Sequence, residues 1–557
     1  MLDYNHYFTN KEIKTILHQW EKDFPKLIKV EEIGRSFQDR PIWLMKITNQ
    51  ETGCDLEKPA FYIDANIHAT EIAGPTTALR VAESLLTRYP TDDRIQWLLD
   101  NTTYYIIPRV NPDGAKACMA DHPHFVRSSM RPYPFDEMPE GLQAQDITGD
   151  GRVRQMRIKD PSGDWKVSPD DARLLVKREP TEIQGEFYRL FQEGFIEEYD
   201  GDIIKVGRPK EGLDMNRNFP FEYQPNAQQR GAGDFAAQEP ETRALIEFII
   251  AHPNINAGVA LHTYSRVILR PYSTKADEDM PVPDLRTYKM MGELGTKITG
   301  YRHVSVYHDF RYEPNEVITG VFDDWMYDSR GAFGFTMEQW DLPTAAGIKD
   351  RKFIEWFQDH PAEEDVQILR FADEHNPEGC VAWKKFDHPQ LGEVEIGGWD
   401  LLYTWRNPPH ALMDEESRRN AEWMIELGFL MPKLALVNET VTSLGKDTFA
   451  VKLVFENIGF LPTYGSEAAQ KRKLNRPIRA NILLPKDASL VVGKKKMELD
   501  HLQGRSNKLE LTSAQASSPM DNRAKVEWTI KAPAGSKVKY EILTERAGVL
   551  RGNVELK

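Results

Sequence analysis

Cysteine is scarce in this chain of 557 residues: Cys54, Cys118 and Cys380 are the only three, odd in number and far apart. They form no Cys-x-x-Cys pair, so neither a disulfide framework nor a thiolate metal site is suggested. Long hydrophobic runs are missing too, and no stretch approaches the ~18 apolar residues of a membrane span. The segment Met1 to Phe8 has no basic region followed by an apolar one. No secretory leader is therefore read, and the chain as written is expected in the cytoplasm. A secreted or periplasmic protein trimmed of its leader would read the same way. Positive charge is in deficit: 71 Lys and Arg against 86 Asp and Glu leave a net charge of −15. That balance argues against nucleic acid as the main partner, because phosphate binding needs clustered Lys and Arg.

What is present is ordinary globular material, 40% hydrophobic and 28% charged, enough for a sizeable core. The length suggests three domains, or two. The apolar run Phe61–Ile67 reads as a buried strand that ends at His68. Glu71 follows three residues later, and a helix is expected from about Thr76 to Tyr89. A His and a Glu so placed can turn toward one point, and imidazole nitrogen with carboxylate oxygen suits Zn²⁺. Two ligands do not make a site, so a third must come from elsewhere in the chain.

The rest of the first half alternates strands and helices, the mark of an α/β layer architecture. A helix is expected over 10–24 behind Thr9-Asn10, strands over Ile28–Ile33, Pro41–Thr48 and Thr103–Val110, and a helix over Asp93–Asp100. Asn111-Pro-Asp-Gly114 reads as a turn. From about Ala115 to Gly212 the pattern weakens into a polar excursion. Within it Asp146-Ile-Thr-Gly-Asp-Gly151 resembles the start of a calcium loop, but Thr148 and Arg157 stand where ligands belong, so a Gly-rich turn is the better reading. Regularity returns with a helix from Pro240. The strand Ile255–Leu261 then delivers His262, and Ala332–Met337 delivers Glu338. In open α/β sheets, ligands gather at the carboxyl ends of strands. Residues 350–430 read as mainly helical, with a loop around Phe386–Trp399 where His388 is a surface or packing histidine rather than a ligand. After Pro432 short β-prone runs take over: Leu434–Val441, Thr448–Glu456, Ile478–Leu484, Lys508–Leu511, Lys525–Ile530 and Val538–Thr544. They suggest an all-β sandwich.

Six motifs in order, His68-x-x-Glu71, Asn111-Pro-Asp-Gly114, Asp214-Met-Asn216-Arg217-Asn218, His262-Thr-Tyr264-Ser, Asp324-Trp325 and Phe335-Thr-Met-Glu338, resemble the zinc carboxypeptidases, the family of pancreatic carboxypeptidases A and B. The resemblance spans roughly residues 5–345. It implies a mixed β-sheet with helices on both faces over 1–430, interrupted by the insertion at 115–212. An immunoglobulin-like or transthyretin-like sandwich would follow over 433–557. It also implies one zinc ion held by His68, Glu71 and His262, with Glu338 as general base and acid on a peptide or peptide-like substrate. Asp214 would orient a zinc-binding histidine, and Asn216 with Arg217 would bind the substrate's terminal carboxylate. Arg127, with Arg131 as competitor, would stabilise the oxyanion, and Tyr264 would shape the rim.

Two positions depart from or narrow the pattern. The family's substrate-capping tyrosine falls nine residues before Trp325, where this chain has Glu316; Tyr312 is the substitute if the loop shifts. Asp323 stands where the resemblance places terminal-residue preference, and an acidic group there implies basic C-terminal residues. Alternatives stay open at this stage. A peptidase for cell-wall peptides with γ-glutamyl or diaminopimelate units is one, and a non-catalytic peptide-binding module is another. An acyl-amino-acid deacylase would share the ligands but not Asn216-Arg217. The sandwich is either a folding companion or a binding module; Trp528 and Tyr540 alternate with apolar partners and read as core.

Overall fold

The computed structural model describes residues 2–313, 315–349, 351–507 and 519–557. Its centre is an eight-stranded mixed sheet in the order Ile28–Arg35, Pro41–Ile47, Thr103–Ile107, Ala60–Ala65, Ile255–Thr263, Phe333–Gln339, Val267–Arg270 and Arg302–Ser305. The middle four run parallel, and every residue of Ala60–Ala65 and Ile255–Thr263 is buried. Parallel strands need both faces covered, which explains why they read as continuous apolar runs rather than alternating ones. Period two still sorts the side chains. Phe61, Ile63 and Ala65 join one core with Leu79, Leu85 and Trp423, whereas Tyr62 joins the other with Leu245, Phe248 and Trp325. Helices Ala73–Arg88, Val282–Thr299 and His410–Gly428 supply the first face; Pro240–Ala251 and Phe322–Arg330 supply the second. This is the mixed sheet, helical on both faces, that the resemblance implied.

Local chemistry sets several boundaries. Thr9 and Glu12 cap each other reciprocally at the start of helix Asn10–Asp23. Asn111-Pro-Asp-Gly114, expected as a turn, is instead the cap and first turn of the helix Pro112–Cys118, because the Asn111 side chain accepts the Gly114 N–H at 2.9 Å. A Cβ on Gly114 would sit 2.5 Å from that of Ala69, so this helix can lie against the turn that follows His68 only with glycine there.

The excursion at 115–212 holds more order than its composition suggests. Strands Gln155–Lys159, Trp165–Val167, Leu175–Lys177 and Tyr188–Gln192 form one sheet with a hairpin from far along the chain, Cys380–His388 and Gly392–Trp399. The loop expected around Phe386–Trp399 is instead the end of one strand, the turn and the second strand of this hairpin. His388 is buried, its Nε2 2.8 Å from the Gly194 carbonyl, a packing histidine as expected. Asp146 closes the Gly-rich turn by accepting the N–H groups of Gly149 and Gly151 at 2.7 and 2.8 Å.

Beyond Leu434 two four-stranded sheets face each other over a core that includes Phe449, Leu453, Trp528, Ile530 and Tyr540. The run Lys508–Leu511 lies outside the described residues. The sandwich docks through buried polar groups. Arg546 donates to the carbonyls of Ile255 and Arg330 and to Asn475 Oδ1. Asp284, on the helix Val282–Thr299, accepts the Glu467 and Ala468 N–H groups at 2.7 and 3.0 Å. Removing Arg546 would leave buried carbonyls unpaired. Arg546→Ala is expected to cost about 2–4 kcal/mol, read as a lower denaturant midpoint of the first unfolding transition. An unchanged midpoint would show that Arg546 does not hold the two parts together.

Candidate active site

Three neighbouring parallel strands end at one point. Glu338 is the register partner of His262 on the adjacent strand, and Leu261 pairs with Ala65, three residues before His68. The turn after Ala65 is wound tightly by Asn66, which takes a positive φ of 60°, a conformation that Asn tolerates better than most residues. Its side-chain amide donates to the carbonyls of His68, Ala69 and Glu71 at 2.7, 3.2 and 3.1 Å, folding Glu71 back beside His68. Arg109 holds the Asn66 oxygen at 3.0 Å. Asn407 accepts the Ala73 N–H and donates to the Thr70 carbonyl, securing the helix start from the other side.

The result is a buried cluster. His68 Nδ1 lies 2.8 Å from Glu71 Oε1 and 3.1 Å from His262 Nδ1, and His262 Nδ1 lies 3.0 Å from Glu71 Oε2. Burial alone would push the Glu71 carboxyl up, but the two facing imidazoles outweigh it and hold it well below the usual range. His262 Nε2 is buried without a hydrogen-bond partner among the described residues. Two ring nitrogens and a carboxylate converging this way have the donor set and spacing of a transition-metal site, all ligand atoms within 4.8 Å of one another. The acidic group Asp146, Asp150 and Glu193 clusters as closely. There, however, Asp146 and Glu193 are engaged by backbone N–H groups.

Asp214 closes the far side of His68. Its Oδ1 is 3.0 Å from His68 Nε2, which fixes the tautomer that leaves Nδ1 free toward Glu71. Burial would raise the Asp214 carboxyl; Arg127, His68 and Arg217 outweigh it and hold it well below the usual range. Arg127 donates to Asp214 at 3.0 Å and to Glu71 at 3.3 Å, and it faces the cleft. Arg131 is turned away, paired with Glu239 at 2.8 Å and set against the Phe37 ring. Geometry thus separates the two arginines that the sequence left in competition.

Glu338 lines the same cleft, its carboxyl pushed up to about 8, first by burial and then by the charge of Glu71. Arg217 projects into the cleft with its Nη1 on the Asn216 carbonyl at 2.8 Å, and Asn216 Oδ1 accepts the Phe322 N–H at 3.0 Å. Asp323 lines a small chamber of about 40 Å³ that also touches His262, Arg217, Tyr312 and Glu338. Its Oδ2 is buried without a partner among the described residues, and burial pushes its carboxyl up to about 6. Tyr264 forms part of the rim, its ring against Phe353 and Phe357. Glu316 is not brought to the cleft: it is exposed, in a turn closed by its N–H to the Glu313 carbonyl, and Tyr312 lines the cleft instead. The positioning residues Asn66, Arg109 and Asn407 were not singled out in the sequence. For Asn66 a signal existed, an asparagine between an apolar strand and the His68 turn; for Asn407, more than three hundred residues from Thr70, there was none.

A family model described as zinc carboxypeptidase matches residues 13–132 and 179–355. A second, described as a domain of unknown function (DUF8731), matches residues 433–555. Carboxypeptidase A2 of Mus musculus is 24% identical over 378 residues, covering 64% of this chain and 71% of that protein. Carboxypeptidase B of Astacus astacus is 34% identical over 113 residues, 20% of this chain and 35% of its own length. Among solved structures, thrombin activatable fibrinolysis inhibitor aligns over 76% of this chain and 74% of its own, with 16% identity and a TM-score of 0.44.

Loss of the Asp214 carboxylate behind His68 is expected to weaken divalent-metal binding. For Asp214→Asn, competition with a chromophoric chelator should report about a 10–100-fold lower zinc affinity. An affinity equal to that of the unaltered chain would remove Asp214 from the metal-binding arrangement.

Proposed function

The chain belongs to the zinc carboxypeptidase family and is a peptide-bond hydrolase, and from that premise we propose that it removes the C-terminal residue of peptides at the cleft where His68, Glu71, His262 and Glu338 meet. The observation that carries this reading is the convergence of His68 Nδ1, His262 Nδ1 and Glu71 beside the half-buried Glu338. His68, Glu71 and His262 would hold one zinc ion. When bound, zinc supplies Lewis-acid polarisation of a carbonyl and acidifies water.

The chain's own groups do the rest. Glu338, half-buried at the strand end and faced by Glu71, has the raised proton affinity of a general base. It takes a proton from the attacking water and returns it to the leaving amine. Arg127 stabilises the developing oxyanion; comparable donors are worth about 10²–10³ in rate. Arg217 and the Asn216 amide bind the free terminal carboxylate, which restricts cleavage to the last peptide bond. Tyr312 covers that end in place of Glu316.

The terminal side chain enters the chamber that Asp323 lines. Leu269, Val306, Ile318 and Val321 line its walls, and the unpartnered Asp323 oxygen supports a cationic tip on an apolar stem, a lysine- or arginine-type residue.

Glu338→Gln is expected to lower kcat by about 10²–10⁴-fold while zinc stays near one per chain by elemental analysis; retained turnover would refute the assigned base. Arg217→Ala should raise KM for free-carboxylate peptides and have little effect on amidated ones, and equal effects on both would exclude the clamp. Asp323→Asn should cut the preference for C-terminal Lys over Leu by roughly 10–100-fold. An unaltered Lys-to-Leu ratio would discard the basic preference alone.

A further inference from the structure

The cleft has the opposite charge to the rest of the molecule. Although the chain carries a net charge of −15, a cavity of about 750 Å³ running outward from Glu71 and Glu338 is lined by Arg127, Arg208, Lys210, Arg217, Arg230 and Arg406. Arg127 is held by Asp214 and Glu71, and Arg217 belongs to the terminal clamp. The other four make no ion pair among the described residues. Elsewhere, several arginines pair closely, Arg40 with Asp113, Arg270 with Asp277 and Arg173 with Asp171 and Asp373, each at 2.7–2.9 Å. The acids that share the cavity are already engaged: Glu211 is 3.2 Å from His124, Asp214 pairs with His68 and Arg127, and Glu71 closes the metal-type cluster. Beyond Glu338 and Glu211, whose partner His124 is charged only when protonated, the unpaired charges lining the cavity are cations.

These cations lie on the upstream side of the reaction. The chamber that Asp323 lines shares Arg127, Arg217, Tyr312 and Glu338 with the large cavity and, on the proposed reading, takes the residue to be released. The chain leading up to the scissile bond then leaves through the large cavity. Arg208, Lys210 and Arg230 come from the end of the insertion and the segment after it. Arg406 follows the hairpin Cys380–Trp399 that the insertion sheet incorporates. Both of these additions bring basic groups to the same wall-lined space.

Building on the carboxypeptidase reading, we propose that the substrate is an acidic peptide, with Glu or Asp carboxylates on the N-terminal side of the bond that is cut. Clefts lined by one sign of charge concentrate ligands of the other sign and repel their own. The effect weakens with salt because the cavity is open to solvent.

The test uses the zinc-loaded full chain and two peptides with the same last two residues, one with three upstream Glu and one with three upstream Gln. At low salt kcat/KM is expected to favour the Glu peptide about tenfold or more, and the ratio should shrink as salt rises. In Arg208→Gln/Arg230→Gln/Arg406→Gln the ratio should approach one, and the corresponding triple Lys variant should keep it. A ratio of one or less in the unaltered chain, or a preference that survives the Gln variant, would overturn the proposal. Anisotropy of the two labelled peptides on the Glu338→Gln chain reads the preference without turnover. Cleavage of the Gln peptide alone therefore tests the carboxypeptidase reading, and the binding ratio tests the acidic preference. Equal affinity for the two peptides would overturn it.

Discussion

Two imidazole nitrogens 3.1 Å apart, each about 3 Å from the same buried carboxylate, form the constraint on which this structure turns. At most one hydrogen can lie between the rings, and a charged carboxylate in this setting costs several kcal/mol unless it is fully compensated. A cation among the three groups resolves both problems. Holding them there takes the rest of the domain. Parallel strands fix His262 and Glu338 in register, the Asn66 turn folds Glu71 back beside His68, and Asp214 sets the tautomer of His68 from behind. Each support is itself anchored, Asn66 by Arg109 and the helix start by Asn407.

The parts of this arrangement that could be read from the sequence are those made by buried parallel strands. Phe61–Ile67, Ile255–Leu261 and Ala332–Met337 are short apolar runs because both faces of the sheet are covered, and each ends in a chemically marked residue. What could not be read depends on distant pairing. Strands of three to five residues such as Trp165–Val167 and Gln155–Lys159 are only partly buried and carry little signal of their own. Gln155 finds its partner Gly397 more than two hundred residues later. The same distance hid the hairpin Cys380–Trp399 behind a helical reading of its surroundings. At Glu316 the sequence offset from Trp325 misled because the loop carries Tyr312, four residues earlier, to the cleft.

The additions to the central sheet play different parts. The insertion supplies part of the cleft wall, including Arg208 and Lys210, and the segment after the hairpin adds Arg406. The C-terminal sandwich meets the catalytic sheet at Ile255, the start of the strand whose other end carries His262. Its contacts are therefore at the edge away from the chemistry, and among the described residues no side chain beyond Pro432 lines the cleft or the chamber at Asp323. Bound in this way, and with Trp528 and Tyr540 in its own core, it has the features of a folding companion.

The central claim is that His68, Glu71 and His262 hold one metal ion between them. Zinc K-edge X-ray absorption on the purified full chain measures this directly. The account predicts one zinc per chain with two imidazole nitrogens and carboxylate or water oxygens at about 2.0–2.2 Å, and a spectrum that loses one imidazole in His262→Ala. A first shell of oxygens only, or an imidazole count unaltered in that variant, would place the metal elsewhere and contradict the account.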